Sequence, residues 1–214
     1  MPLPLANAAV EFFIQGGPIM YPIAVVAVFA VCIFLERFFW WTRLSARRSP
    51  RQLESVYETL EGGNLAKAIE LASKSKDPVV RMIHHGLNHR HTSMQGALEV
   101  AAGQELQDAG RFLSAMDTIV TLAPLLGLLG TVTGIMGSFT SIGGSELAVE
   151  KVTGGIGEAL IATAAGLGIA IGTLVPMNYY HTRLAKLKFD LEAAANNVLI
   201  LSIQHGFDKL PGKH

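Results

Sequence analysis

Three stretches of this chain carry no charge at all. Gly16–Leu35, Ile119–Phe139 and Ala159–Tyr180 run for 20, 21 and 22 residues with no ionisable side chain other than tyrosine and Cys32. At ~1.5 Å of rise per residue, each covers about 30 Å as a helix, the thickness of a bilayer's hydrocarbon core. The pattern therefore predicts three transmembrane helices. Elsewhere the apolar positions recur with a helical period. Pro50 opens a helix with Leu53, Val56 and Leu60 on one face, stopped by Gly62 and Gly63. Asn64 caps the next, which carries Leu65, Ile69 and Ala72, and Pro78 starts a third with Val79, Met82, Ile83 and Leu87. Ser93 caps a fourth, carrying Leu98, Ala101, Ala102, Leu106, Ala109 and Leu113. No break separates this fourth helix from the second span, so one continuous helix is expected from about Ser93 to about Phe139. After the third span, Leu184, Leu187, Leu191, Ala194, Val198 and Leu201 follow a 3-4-3-4-3 spacing, a heptad seam. No alternating strand pattern occurs. The fold class is an all-α membrane protein, with spans two and three extended into a helical bundle outside the bilayer.

Charge orients this frame. The chain holds 17 Lys and Arg against 17 Asp and Glu, for a net charge of zero. None of the basic residues lies in 1–18 and only Lys151 lies in 140–158, whereas 11 fall in 36–118 and five in 181–214. The positive-inside rule then places the N-terminus and the 140–158 loop outside and the two basic segments in the cytoplasm. Arg37, Arg43, Arg47, Arg48 and Arg51 mark the inner end of span one, beside an aromatic belt of Phe38, Phe39, Trp40 and Trp41. The organisation is an outer interfacial helix in 1–18, spans at 19–42, 113–139 and 159–180, a cytoplasmic helical domain at 43–112, an outer loop at 140–158 and a cytoplasmic C-terminal helix at 181–214. Val10, Phe13 and Ile14 would turn the interfacial helix to lipid before Gly16-Gly17-Pro18 enters span one. A balanced charge gives no support to a nucleic-acid partner. The lone Cys32 lies inside a span and has no intrachain partner for a disulfide. No basic leader region precedes the first span.

Candidate chemistry lies in the spans. On the second, Gly127, Thr131, Gly134 and Ser138 share one stripe, and Gly130 with Gly134 makes a GxxxG. On the third, Thr163, Gly166, Ala170 and Thr173 share another, and Gly168 with Gly172 makes a second GxxxG. Small residues let helices approach closely in lipid. The hydroxyls have two readings: bonds to their own helix carbonyls, or an ion path. Glu158, at the outer start of span three, is either a helix-start carboxylate or an acid on such a path. Asp117 at the inner edge of span two is expected to meet water or a neighbour such as Arg111. His84, His85, His89 and His91 cluster without a completing Cys or acid, so no metal site is expected. No Asp or Glu stands at the centre of any span. An ion carrier of this kind therefore needs its carboxylate from another chain.

The residues Ala123-Pro124-Leu125-Leu126-Gly127-Leu128-Leu129-Gly130-Thr131-Val132, followed by Gly134-Ile135-Met136, resemble a signature of the MotA/TolQ/ExbB proton channel family. Gly155 to Leu167 resembles its third-helix signature, and Gly16 to Pro22 with Leu35-Glu36-Arg37 resembles the first helix of the ExbB/TolQ branch. The resemblance implies a homopentameric ring in the bacterial inner membrane, N-terminus periplasmic. It implies two copies of a single-span ExbD/TolR-like partner, each carrying a membrane Asp, and through them a TonB- or TolA-like protein. It implies proton-driven motor work on an envelope system, no cofactor and no enzymatic reaction, with H⁺ as the transported ion and Na⁺ as the alternative. On this resemblance Thr131 and Thr163 face the partner Asp and Glu158 matches the family acid. Thr133 stands where close relatives commonly carry an aromatic residue. Two other functions are open to the same residues: a passive membrane scaffold, and a solitary ion channel or transporter.

Overall fold

The structure, a computed structural model, describes residues 4–140 and 148–207. Among these, eight helices follow one another: α1 (Pro4–Gln15), α2 (Met20–Arg47), α3 (Pro50–Glu61), α4 (Leu65–Ser73), α5 (Pro78–Asn88), α6 (Arg90–Gly110), α7 (Leu113–Thr140) and α8 (Ala148–His205). Three stretches are long and apolar enough to cross a membrane, within α2, α7 and α8, as the uncharged runs predict. Of the outer loop expected at 140–158, residues 141–147 lie outside the described residues, and 148–158 form the start of α8 rather than a loop, because the helix of the third span begins earlier than its uncharged run; residues 208–214 of the C-terminal segment also lie outside.

The chain forms two compact units. The first combines Met1–Arg37 with Phe112–Tyr179 and holds the apolar runs; the second combines Phe38–Arg111 with Tyr180–His214. In the first unit, α7 buries Met116, Ile119, Ala123, Gly127, Gly130 and Ser138. It leaves Leu125, Leu128, Val132 and Met136 on its outer face. Met20 and Ile23 of α2 pack on Ala162 of α8, with Phe13 of α1 covering them. Phe13 is thus drawn inward, its ring edge-on to Tyr21 at 5.3 Å, while Val10 and Ile14 stay exposed as an interfacial helix requires.

In the second unit the sequence signals act where expected. Asn64 accepts a hydrogen bond from the Lys67 N–H at 3.1 Å, and the Ser93 hydroxyl accepts one from the Gly96 N–H at 3.1 Å. The heptad residues Leu187, Leu191, Ala194 and Val198 are buried. Tyr57 of α3 hydrogen-bonds Asn197 of α8; burial raises its phenol pKa and this bond partly lowers it again. His85 and His89 stack locally, rings 4.4 Å apart, and the described residues contain no metal-ligand cluster; the His91 side chain lies outside them.

Two features depart from expectation. The helix expected to run unbroken from Ser93 to Phe139 is interrupted at Arg111 and Phe112, where Arg111 is extended (ψ 136°) and Phe112 takes a φ of 65°. A phenylalanine is rarely found in this left-handed region, so packing must hold it there. The guanidinium of Arg37, 1% exposed and paired with Glu36, lies 5.7 Å over the Phe112 ring. A cation over a ring face at this distance is a favourable contact. Second, Asp77 rather than Pro78 alone sets the start of α5. Its carboxylate accepts from the Val79 N–H at 2.9 Å and the Ser49 N–H at 2.7 Å, and Arg48 lies beside it at 3.8 Å. Asp77→Ala would strip a cap from α5 and a partner from the α3 entry together. A loss of about 3 kcal/mol is expected, read as a lowered thermal midpoint with the membrane helices intact by circular dichroism.

Candidate functional site

The two stripes singled out in the sequence meet each other. Gly127 and Gly130 of α7 lie against α8 so closely that a methyl has no room, and at Gly134 it would fit only if its neighbours gave way slightly. A Cβ at Gly127 would stand 2.9 Å from Thr163 Cα, one at Gly130 2.6 Å from Ala162 Cβ, and one at Gly134 3.0 Å from the Gly155 carbonyl oxygen. From the other side, a Cβ on Gly166 would collide with the Ala123 carbonyl, and one on Gly155 with the Ser138 hydroxyl. Glycine is required here for approach, not for flexibility. Gly168 and Gly172 differ: among the described residues, no atom beyond their own stretch of helix lies within 4 Å of a Cβ built on either. Their GxxxG therefore serves no helix contact among the described residues of one copy.

The hydroxyls divide in the same way. Thr163 donates across the helix pair to the Gly127 carbonyl at 3.0 Å, and the Ala159 carbonyl of its own helix stands at 3.2 Å. One hydroxyl proton can serve only one of these acceptors at a time. Thr131 donates to its own helix, to Leu128 at 2.6 Å, and Thr173 likewise to Ile169 at 2.8 Å. The local-bond reading thus describes Thr131 and Thr173, while Thr163 alone spans two helices.

At the Gly134 end of this contact an open cleft of about 530 Å³ is lined by Pro18, Ile19, Thr133, Gly134, Ser138 and Glu158, among others. Ser138 is buried and donates to the Gly134 carbonyl at 2.8 Å. Thr133, read in the sequence only as a departure, brings its hydroxyl to this wall, bonded to Leu129 at 3.0 Å. Glu158 lies directly over Gly17: a Cβ at that glycine would overlap its carboxylate. Gly17 also takes a φ of 68°, so the position excludes a side chain twice over. The sequence marked Gly16-Gly17-Pro18 as a turn; the positive φ follows from that, but the carboxylate above it did not. Gly17→Ala is expected to displace Glu158 from the cleft. Labelling of Glu158 by a carbodiimide, compared between the two proteins, would register the change, and equal labelling would refute it. Asp117, at the opposite end of α7, is exposed.

Three helices able to span a membrane are what the comparisons to known proteins also support. Residues 74–193 match the model of the MotA/TolQ/ExbB proton channel family. The chain belongs to the MotA/TolQ/ExbB proton channel family. Among its relatives, an ExbB-like biopolymer transport protein (ExbB-like 1) of Synechocystis sp. is 35% identical over 171 residues, 76% of this chain and 66% of that protein. A second from the same organism, ExbB-like 3, is 35% identical over 175 residues, 78% of this chain and 82% of its own. The Tol-Pal system protein TolQ of Haemophilus influenzae is 31% identical over 116 residues, 54% and 51% of the two chains. This chain spans just under two thirds of the first relative's length. These similarities place it on the ExbB/TolQ branch, as a multi-pass membrane protein of a transport and proton channel family rather than a conventional enzyme.

Proposed function

We propose that this chain is the ring subunit of an ion-driven motor in a bacterial inner membrane, with its N-terminus outside. Five copies surround two single-span ExbD/TolR-like chains, and proton flow past the partners' membrane Asp is coupled to work on a TonB- or Tol-like envelope system. The observation that carries this reading is the Thr163 hydroxyl, which stands between two alternative backbone acceptors on the α7–α8 contact. A hydroxyl with two acceptors can offer its lone pairs or its proton to a visiting carboxyl group and close again on the helices when the group leaves. The absence of any acid at mid-span makes such a visitor necessary. Glu158, Ser138 and Thr133 line the outer approach in this scheme, and no cofactor takes part. Moving one charge across roughly 150 mV releases about 3.5 kcal/mol, enough to bias a two-state helix arrangement about several hundredfold.

Native mass spectrometry of the purified protein, alone and co-expressed with an Asp-bearing single-span partner, tests the assembly. A pentamer that gains two partner chains is the expected result, and partner-dependent proton flux in liposomes should follow. A ring that accepts no partner would favour a passive scaffold. Flux from the chain by itself would favour a solitary channel.

A further inference from the structure

The histidines of α5 are potential metal ligands that the motor reading leaves unused. His85 and His89 stand at i and i+4, on one face at the C-terminal end of α5. Their ring centres lie 4.4 Å apart, with the planes inclined by 35°. His89 is exposed and His85 half-buried, so both rings reach solvent. The Nδ1 of His89 stands 2.9 Å from the His85 carbonyl oxygen. A carbonyl oxygen only accepts, so in this bond Nδ1 carries the proton and Nε2 keeps its lone pair. Metal-bound imidazoles are oriented by a bond of this form, one ring nitrogen donating to a backbone carbonyl while the other meets the ion. The neighbouring His84 differs, since the Asn88 amide nitrogen lies 3.0 Å from its Nε2. His85 also borders a cleft of about 220 Å³ together with Arg81 and Glu105. Arg81 pairs with Glu105 at 3.1 Å, which balances the guanidinium charge in that cleft.

Two imidazole lone pairs select the ion. Nitrogen donors of this kind suit Zn²⁺, Cu²⁺ and Ni²⁺, whereas Mg²⁺ and Ca²⁺ take oxygen ligands. The end of a helix favours a cation as well, because its last carbonyls carry partial negative charge. Among the described residues no third His, Cys, Asp or Glu completes a closed cluster. The pair is therefore a two-toothed clip, with the other coordination positions left to water. We propose that His85 and His89 together bind a divalent transition-metal ion of the zinc class and clamp the corner at which α5 gives way to α6. His89 is the C-cap of α5, and α6 begins at the next residue, Arg90. An ion held by both rings restrains the last turn of one helix and the entry to the next. The site belongs to the second unit, apart from the Thr163 contact, and does not rest on the motor reading.

The test uses the full-length protein, purified without a polyhistidine tag, and zinc chloride titrated in competition with a chromophoric chelator. His85→Gln and His89→Gln should each lower zinc affinity by about a hundredfold, because chelation makes the second bond an intramolecular event. His84→Gln removes a histidine one position from the pair, and its affinity should match that of the unaltered protein. Zinc should also raise the thermal unfolding midpoint of the unaltered protein, and leave that of the His85→Gln/His89→Gln double variant where it was. None of the three side chains is buried, so the variants keep the fold, which circular dichroism checks. Undiminished zinc binding in the double variant would overturn the proposal, as would equal losses in the His84 and His85 variants. Displacement of the zinc by excess Mg²⁺ would overturn the assignment to nitrogen ligands.

Discussion

Thr163→Ala should assemble normally and fail to transmit energy. The hydroxyl makes one bond at a time, to Gly127 or to Ala159. Such side-chain bonds between membrane helices are worth about 0.6 kcal/mol on average and no more than roughly 1.7. The glycine contacts on either side remain in the variant, and alanine fits the space that threonine vacates. A loss of that size does not dissociate a helix pair. Partner-dependent proton flux, by contrast, should drop by at least about a hundredfold if the hydroxyl meets the moving carboxyl group, a range typical of deleting a proton-handling side chain. Thr163→Ser keeps the oxygen and should retain most activity; Thr163→Val keeps the shape and should behave as alanine does. Full flux in both the alanine and valine variants would reduce Thr163 to a packing residue and remove the observation on which the motor reading depends.

Gly166→Val should do the opposite, destroying the membrane unit before any question of activity arises. The side chain would enter the Ala123 carbonyl and approach Gly127 Cα, both backbone atoms that cannot swing aside. Relief requires α7 and α8 to separate along their length, which would also pull Gly127 from Thr163 and Gly130 from Ala162. Overpacking in a close contact of this kind typically costs 1–3 kcal/mol and more where backbone must move. Loss of detergent-stable protein is expected, with Gly166→Ala already impaired. Gly168→Ala and Gly172→Ala provide the contrast: their Cβ atoms meet nothing among the described residues, so the isolated fold should tolerate them. If these mild variants fold yet fail to oligomerise, the second GxxxG lies between copies. Normal assembly in both would leave it facing lipid.

These two variants also mark where sequence reading was sufficient and where it stopped. The uncharged runs specified the three spans because the bilayer leaves few alternatives to a long apolar helix. Pro50, Asn64, Pro78 and Ser93 announced helix starts because caps and N1 prolines act through bonds local to the chain. The same locality explains what was missed. A GxxxG states that a helix has a flat face, and both spans have one, but only the partner helix decides that Gly166 is pressed and Gly168 is not. The break at Phe112 has no local signal. Phenylalanine does not favour a φ of 65°, and the cation that meets its ring, Arg37, stands some 75 positions earlier in the chain. Arg48 read as one more member of a basic cluster; its pairing with Asp77 and Asp190 depends on elements far apart in sequence. Of the candidate site, Thr163 and Glu158 were legible as residues, whereas the bond from Thr163 to Gly127 and the seat of Glu158 on Gly17 were not.

That seat has a mechanical side. Gly17 and the Glu158 carboxylate occupy adjoining space with no slack between them, and the left-handed turn at Gly17 joins α1 directly to α2. The corner between α1 and α2 and the acid at the mouth of the cleft thus share one volume, which only a residue without a side chain leaves to the acid. Whatever changes the turn at Gly17 therefore changes the seat of Glu158, so the link between the first two helices and the acid of the third span form one fitted joint.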